Sequence, residues 1–220
     1  MKENSKVSII DYGIGNLFSV LKACEAVGLS AQITNDKKYI ESSEAILLPG
    51  VGAFGDAMTN LGKLDLIEPI RDYAQSGKPL MGVCLGMQLL LTESEEFDIQ
   101  KGLNIIEGSC MRFPSFDTNH HKIKVPQIMW NTIYPANGNT FEKNTPLDNI
   151  TPGEYMYFIH SYHAKLQNPD EMLSLTDYHG VEYCSSIHKG NVFAFQFHPE
   201  KSGTQGLKIY QKFKELILNN

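Results

Sequence analysis

The stretch Lys78-Pro79-Leu80-Met81-Gly82-Val83-Cys84-Leu85-Gly86-Met87-Gln88-Leu89-Leu90-Leu91 constrains the fold more than any other part of the chain. Leu80 to Val83 reads as a short buried strand entered through a proline, and Leu85 to Leu91 as the opening of a helix. Cys84 lies between them, with Gly82 and Gly86 two residues away on either side. A Gly-x-Cys-x-Gly turn between strand and helix forces its central residue into a strained conformation. The glycines remove the Cβ atoms that would strike the neighbouring elements. The following helix N-terminus aims N–H groups at the sulfur and favours an anion there, and the Leu85 N–H is free for a developing oxyanion. A cysteine in an apolar run is more often a small core residue, so this turn needs support from elsewhere in the chain.

The residues before it alternate strand and helix. Val7-Ser8-Ile9-Ile10 is an apolar strand that runs into Asp11-Tyr12-Gly13-Ile14-Gly15-Asn16. Leu17, Val20, Leu21, Cys24 and Val27 then keep helical spacing, with Gly28 as a C-terminal stop. Gly13 and Gly15 are only a fragment of a dinucleotide fingerprint, because Phe18 stands where the third glycine belongs; NAD binding is rejected. Ala31 to Thr34 can form a second strand. Ala45-Ile46-Leu47-Leu48 has the continuous apolar character of a strand buried in a parallel sheet. It ends in Pro49-Gly50-Val51-Gly52, whose two glycines allow close approach of backbone to a ligand. A helix is expected from about Leu66, with Asp65 and Glu68 spaced as a capping box and Gly77 as its end. Short βα connections imply right-handed crossovers and a parallel sheet, in which ligands bind outside the carboxyl ends of the strands. Asn16, the Gly50–Gly52 turn and Cys84 all belong on that edge.

After Glu96 the chain becomes strand-rich. Ile105 to Phe113, Ile123 to Ile133, Tyr155 to His163 and Met172 to Tyr178 are β-prone, separated by Asn, Gly, Pro and Asp clusters. Glu182 to His188 and Val192 to Phe197 form a hairpin across Lys189-Gly190. A final helix places Leu207, Tyr210, Phe213 and Ile217 on one face. The expected fold is therefore α/β: a mainly parallel central sheet with helices on both faces, plus an antiparallel β-layer in the C-terminal half. No repeat or linker divides the chain, so residues 1–220 are expected to form one domain.

A formal charge of −6 argues against nucleic acid or an anionic membrane as the main partner. The four cysteines (Cys24, Cys84, Cys110, Cys184) form no C-x-x-C pair, which favours reduced thiols in a cytoplasmic protein. No apolar segment follows a basic start, and Pro79 to Met87 is too short to span a bilayer. Neither His120-His121 nor His160 with His163 has the ligand spacing of a zinc site; no metal or other cofactor is expected.

Support for Cys84 comes from His198-Pro199-Glu200, at the end of the strand Val192 to Phe197. A cysteine nucleophile needs a base and an acid, and histidine serves as both near neutral pH. The imidazole needs an orienting carboxylate. His198 and Glu200, two apart in an extended segment, can point to one side, with Pro199 stiffening the link.

The segments Gly-Val-Cys-Leu-Gly-Met-Gln and Phe-Gln-Phe-His-Pro-Glu-Lys-Ser together resemble the class I, triad-type glutamine amidotransferases. Asp11 to Asn16, Pro49 to Phe54 and Tyr157 to Tyr162 resemble the glutaminase subunit of imidazole glycerol phosphate synthase within that family. The resemblance runs from about residue 7 to the C-terminal helix. It implies a flavodoxin-like fold and hydrolysis of L-glutamine to glutamate and ammonia. Cys84 would be the nucleophile, His198 the base and acid, and Glu200 its orienting group. Leu85 and the backbone of Gly50 and Val51 would form the oxyanion hole. Gly52, Gln88, Glu96, Ser161 and Tyr162 would hold glutamine. Asn16, Tyr157 and Lys201 would lie near an interface with a TIM-barrel subunit that receives the ammonia and makes imidazole glycerol phosphate and AICAR. Tyr12, Phe54, Ile128, Met129 and Trp130 are expected to form part of the docking face.

One segment departs from the family. Pro126-Gln127-Ile128-Met129-Trp130-Asn131 stands where Pro-His-Met-Gly-Trp-Asn is usual, and Met129 replaces a residue that permits unusual backbone angles. The departure leaves the acceptor open, and a paralogue feeding amidination of a bacterial surface sugar is an alternative. A stand-alone cysteine hydrolase and a non-catalytic binding subunit are the other readings.

Overall fold

The computed structural model describes residues 6–117 and 119–219. Among the described residues, thirteen strands are hydrogen-bonded in one continuous sheet. The first half supplies β1 (Val7–Ile10), α1 (Leu17–Ala26), β2 (Ala31–Thr34), α2 (Lys37–Ser42), β3 (Ala45–Gly50), α3 (Phe54–Lys63), α4 (Ile67–Gln75), β4 (Leu80–Cys84) and α5 (Leu85–Leu89). Then follow β5 (Leu91–Ser94), β6 (Gln100–Lys101), β7 (Ile106–Arg112), β8 (Gln127–Pro135), β9 (Glu154–His160) and β10 (Tyr162–Leu166). The chain closes with β11 (Met172–Tyr178), β12 (Val181–Lys189), β13 (Val192–Phe195) and α6 (Gly203–Asn219).

The order β2-β1-β3-β4-β13 is parallel throughout. The inner strands β3, β4 and β13 are apolar without alternation because both faces are covered, whereas the edge strand β2 is only partly buried. Val7, Ile9, Leu47, Met81, Val83, Phe193 and Phe195 face α1 and α6, against Val20, Cys24, Ile209, Tyr210 and Phe213. Ile10, Ile46, Leu48, Leu80 and Ala194 face the opposite way, against Ile40, Phe54, Leu61 and Ile70 of α2, α3 and α4. The antiparallel part grows from the same sheet: β13 pairs with β12, β12 with β10 and β11, and β11 leads through β8 to β9.

Several local expectations are corrected. Asp65 does not cap α4: it adopts φ 49 in the turn between α3 and α4, and Leu66 stands at the cap position with no side-chain bond. The helix after Cys84 ends at Leu89, and Leu91 already begins β5, because a run buried on every side carries no periodicity to mark the change. Tyr155 to His163 is two strands, β9 and β10, broken at Ser161, and β8 starts at Gln127 rather than Ile123. Helices α2 and α3 were not anticipated: α2 is only six residues long, and α3 carries two glycines, Gly55 and Gly62. All four cysteines are free and buried. No helix among the described residues is long and apolar enough to cross a membrane.

Candidate active site

Cys84 ends β4 with φ 55 and ψ −111, a region that non-glycine residues rarely occupy. Close packing holds it there. A methyl group at Gly86 would collide with the Leu48 carbonyl oxygen of β3, so only glycine lets α5 leave the strand at this angle. Gly50 lies in register beside Cys84 on the neighbouring strand, which places the Gly50–Gly52 turn next to the sulfur.

β13 runs parallel to β4 on its other side, with Phe195 opposite Val83, so the chain after β13 emerges beside the cysteine. His198 Nδ1 and Glu200 Oε1 are 2.7 Å apart, and both side chains are almost fully buried. The pairing uses a different geometry from the extended segment expected. Pro199–Lys201 forms one turn of 3-10 helix, and that turn swings Glu200 back under the ring. His198 is strapped to β9: its N–H donates to the Tyr157 carbonyl at 2.9 Å. The Ser202 hydroxyl donates to the His198 carbonyl at 2.7 Å and accepts from the Tyr157 N–H.

Burial alone would lower the pKa of His198. Cys84 and then Glu200 outweigh it and push the imidazole up to about 10. The ring therefore keeps its proton through neutral pH while lying beside sulfur and carboxylate. Its Nε2, the nitrogen not engaged by Glu200, is buried and is the one left to interact with Cys84. An imidazolium next to a cysteine favours the nucleophilic thiolate and can protonate a leaving amine.

The sequence reading missed Gln196. Its side chain is buried in an apolar strand extension, Nε2 donates towards Cys84 Sγ at 3.9 Å, and Oε1 accepts from Gln88 Nε2 at 3.0 Å. Gln88 Nε2 also donates to the Tyr162 carbonyl at 3.0 Å, so this amide pair ties α5 to the histidine strand and to β10. A polar residue between two phenylalanines of a buried strand was the available signal.

A cleft of about 300 Å³ opens above the sulfur, of a size that suits an amino acid. Val51, Gly52, Cys84, Leu85, Gln88 and Glu96 line it, and Ser161, Tyr162 and Lys201 complete most of its wall. Gly50, His198 and Glu200 are not among the residues that line it. The Glu96 carboxylate accepts from the Phe54 N–H at the start of α3, which fixes it at the cleft's rim. His160 was not expected in the wall, yet it lines the cleft. Burial holds its pKa down to about 3, so it is neutral. Nδ1 lies 2.8 Å from the Tyr162 carbonyl and must carry the proton, leaving Nε2 to accept from Tyr183 at 3.2 Å. Tyr183 has one proton, and it also lies 2.9 Å from the Gln127 amide, whose buried Nε2 is otherwise unpaired. Turning that amide over gives each contact one proton: Gln127 donates to Tyr183, and Tyr183 to His160.

The expected docking residues divide. Tyr12 and Phe54 are 1% and 0% exposed, so they cannot belong to a docking face; each is an aromatic packed under the sheet edge. Ile128, Met129 and Trp130 are exposed on β8; Ile128 and Trp130 share one face with Tyr134, Tyr155 and Ile159, whereas Met129, opposite the buried Phe158, points to the other face. Trp130 and Tyr157 sit side by side with ring centroids 6.0 Å apart. Met129 has ordinary strand backbone, outside the left-handed region, so replacing glycine there costs no strain. Asn16 holds the cap position of α1 without making a side-chain cap bond.

A doubly wound sheet, a strained cysteine at one strand end and a buried His–Glu pair just past the end of the next strand define an α/β protein with a candidate cysteine site at its sheet edge. Residues 8–216 match the family described as glutamine amidotransferase class-I, and the chain belongs to that family. It is 42% identical over 214 residues to the imidazole glycerol phosphate synthase subunit HisH of Geobacter sulfurreducens, covering 96% of this chain and 99% of that one. It is 45% identical over 212 residues to the subunit of the same name from Caldanaerobacter subterraneus, covering 96% and 98%. Among solved structures, PurLQS from Thermotoga maritima superposes with a TM-score of 0.69 at 21% identity over 98% of both chains. A glutamine amidotransferase from the same organism gives 0.60 at 13% identity, over 98% of this chain and 85% of that one. At those identities the structures speak for the fold.

Proposed function

We propose that this chain is the glutaminase subunit of an imidazole glycerol phosphate synthase, acting in the cytoplasm as one domain over residues 1–220. The observation that carries the reading is the meeting of Cys84, His198 and Glu200 at one sheet edge, beside a cleft of about 300 Å³.

The Cys84 thiolate attacks the side-chain amide carbon of L-glutamine. The carbonyl oxygen becomes an oxyanion held by the Leu85 N–H and the Gly50–Val51 backbone. His198 protonates the departing nitrogen, and ammonia leaves behind a glutamyl thioester. His198 then takes a proton from water, which cleaves the thioester to glutamate. Glu200 keeps the imidazole oriented throughout. Gly52, Gln88, Glu96, Ser161 and Tyr162 position the amino acid.

The ammonia passes to a TIM-barrel subunit docked over the cleft, which uses it to make imidazole glycerol phosphate and AICAR in histidine biosynthesis. Asn16, Tyr157 and Lys201, with the exposed face of β8 and β9, form this side of the contact. Free ammonia would be protonated or lost, so release against a docked partner requires a gate. An oxyanion hole completed on docking would supply it.

The test is Cys84→Ala in complex with the barrel subunit. Glutamine-dependent synthesis should fall by about 10⁴-fold or more, while synthesis from added ammonium salts persists. Glutamine hydrolysis surviving the substitution would defeat the assignment.

A further inference from the structure

Tyr12 follows β1 directly and is turned into the core by a tight bend: the Gly13 N–H closes on Asp11 Oδ1 at 2.9 Å, and Gly13 takes φ +82. The phenol is buried, and its hydroxyl donates to the Pro49 carbonyl at 2.8 Å. Beyond Leu47, β1 offers β3 no further ladder partner, and the Tyr12 hydroxyl takes the carbonyl that the departing strand leaves. A methyl group at Gly50 would collide with that hydroxyl and press on Leu85, the residue after the nucleophile. Tyr12 is therefore wedged beneath the Gly50 backbone, between the two proposed sources of the oxyanion hole. Burial, with the charge of Cys84 second, holds the phenol well above its ordinary pKa, so it remains a donor at every pH where the protein works.

We propose that Tyr12 is a positioning residue for the oxyanion hole: its hydroxyl locks the Pro49–Gly50 peptide, from which the Val51 turn starts. A peptide is planar with its C=O and N–H opposed, so a fixed Pro49 oxygen fixes the direction of the Gly50 N–H. The next residues need such a root. Gly50 and Gly52, the latter at φ +97, leave Val51 on a torsionally soft turn. Tyr12 touches neither substrate nor sulfur in this account; it acts through the backbone. The inference rests on the glutaminase reading above.

The experiment compares wild type with Tyr12→Phe, in complex with the barrel subunit, by three readouts. The kcat for glutamine hydrolysis should fall by about 10- to 100-fold, part of the roughly 10²- to 10³-fold effect of losing an oxyanion donor. The KM for glutamine should stay within about twofold, and the rate of Cys84 alkylation should be unchanged, because thiol and imidazole are untouched. Affinity for an aldehyde analogue of glutamine, which forms a tetrahedral adduct on the sulfur, should weaken in step with kcat. An unaltered kcat, a change confined to KM, or slowed alkylation in parallel would overturn the proposal. A wild-type complex that fails to hydrolyse glutamine would overturn the glutaminase reading and this proposal with it.

A second pair of variants guards against misfolding and needs no activity. Gly50→Ala should lower Tm less in the Tyr12→Phe background than in wild type, because the atom struck by the new methyl is gone. Equal losses of Tm in both backgrounds would place the hydroxyl elsewhere and overturn the proposal.

Discussion

The parallel half of the sheet and the β8–β9 hairpin are covered in different ways. β1, β3, β4 and β13 carry helices on both faces, and their side chains are almost wholly buried. The hairpin buries Ile133, Met156 and Phe158 on its inner face but leaves Ile128, Trp130, Tyr134, Tyr155 and Ile159 open on the other. Exposed apolar patches of that kind mark association surfaces. The candidate site lies on the seam between the two regions: Cys84 and His198 come from the parallel half, while the Ile159 carbonyl, 3.8 Å from the sulfur, comes from β9. The reacting atoms are thus held by the part that is complete in itself. The part that awaits a cover also forms one wall of the cleft.

The contrast breaks most easily in the parallel half. Gly86→Ala drives a methyl into the Leu48 carbonyl, and the overpacking should cost about 3 kcal/mol or more. Thermal unfolding should then begin roughly 6–12 °C lower; a variant as stable as wild type would mean that the elbow is not tightly packed.

Between the two regions lies His160, which the β9 end presents to the cleft. Its pKa of about 3 in the folded chain is below the ordinary 6.5, because burial disfavours the charged ring. The unfolded chain therefore binds the extra proton between those values. The stability contribution is complete above pH 6.5 and is lost as pH falls towards 3, amounting to roughly 3 kcal/mol by pH 4.5. His198 works in the other direction: its pKa is raised to about 10, so its contribution is complete below pH 6.5 and is lost as pH rises from there through about 10. Unfolding followed against pH should show the acid loss in wild type and a flatter acid limb in His160→Gln. An acid limb identical in the two proteins would contradict the buried neutral imidazole.

The smallest effect on folding, and the sharpest contrast, belongs to the hairpin. Trp130→Ala should weaken complex formation with the barrel subunit about 10- to 100-fold while leaving Tm of the isolated chain within about 2 °C. Titration of the two subunits checks it, and unchanged affinity would remove Trp130 from the interface.

Local chemistry was readable in the sequence where the interacting residues are near neighbours. The Gly82–Gly86 spacing around Cys84 and the His198–Glu200 pair each close within a few residues, so their pattern survives in one dimension. Gln196 left only the hint of a polar residue between two phenylalanines, and His160 left none, because their roles arise from β13 settling beside β4 and β9 folding over the sulfur. Asp65 misled for a physical reason. A short polar residue before an apolar stripe suits a helix cap, but it suits a left-handed turn equally well, and the junction of α3 with α4 needs the turn. Tyr12 and Phe54 were misplaced as surface aromatics because neither β-edge packing nor burial beneath a loop leaves a periodic signal.

The central claim is that Cys84 forms a covalent glutamyl adduct with its neighbours' help. Mass spectrometry after exposing the complex to an electrophilic glutamine analogue tests it directly. The account predicts one adduct per chain, located on Cys84, slowed by L-glutamine and abolished in His198→Ala. Labelling spread over Cys24, Cys110 and Cys184, or labelling of Cys84 that glutamine does not slow, would contradict it.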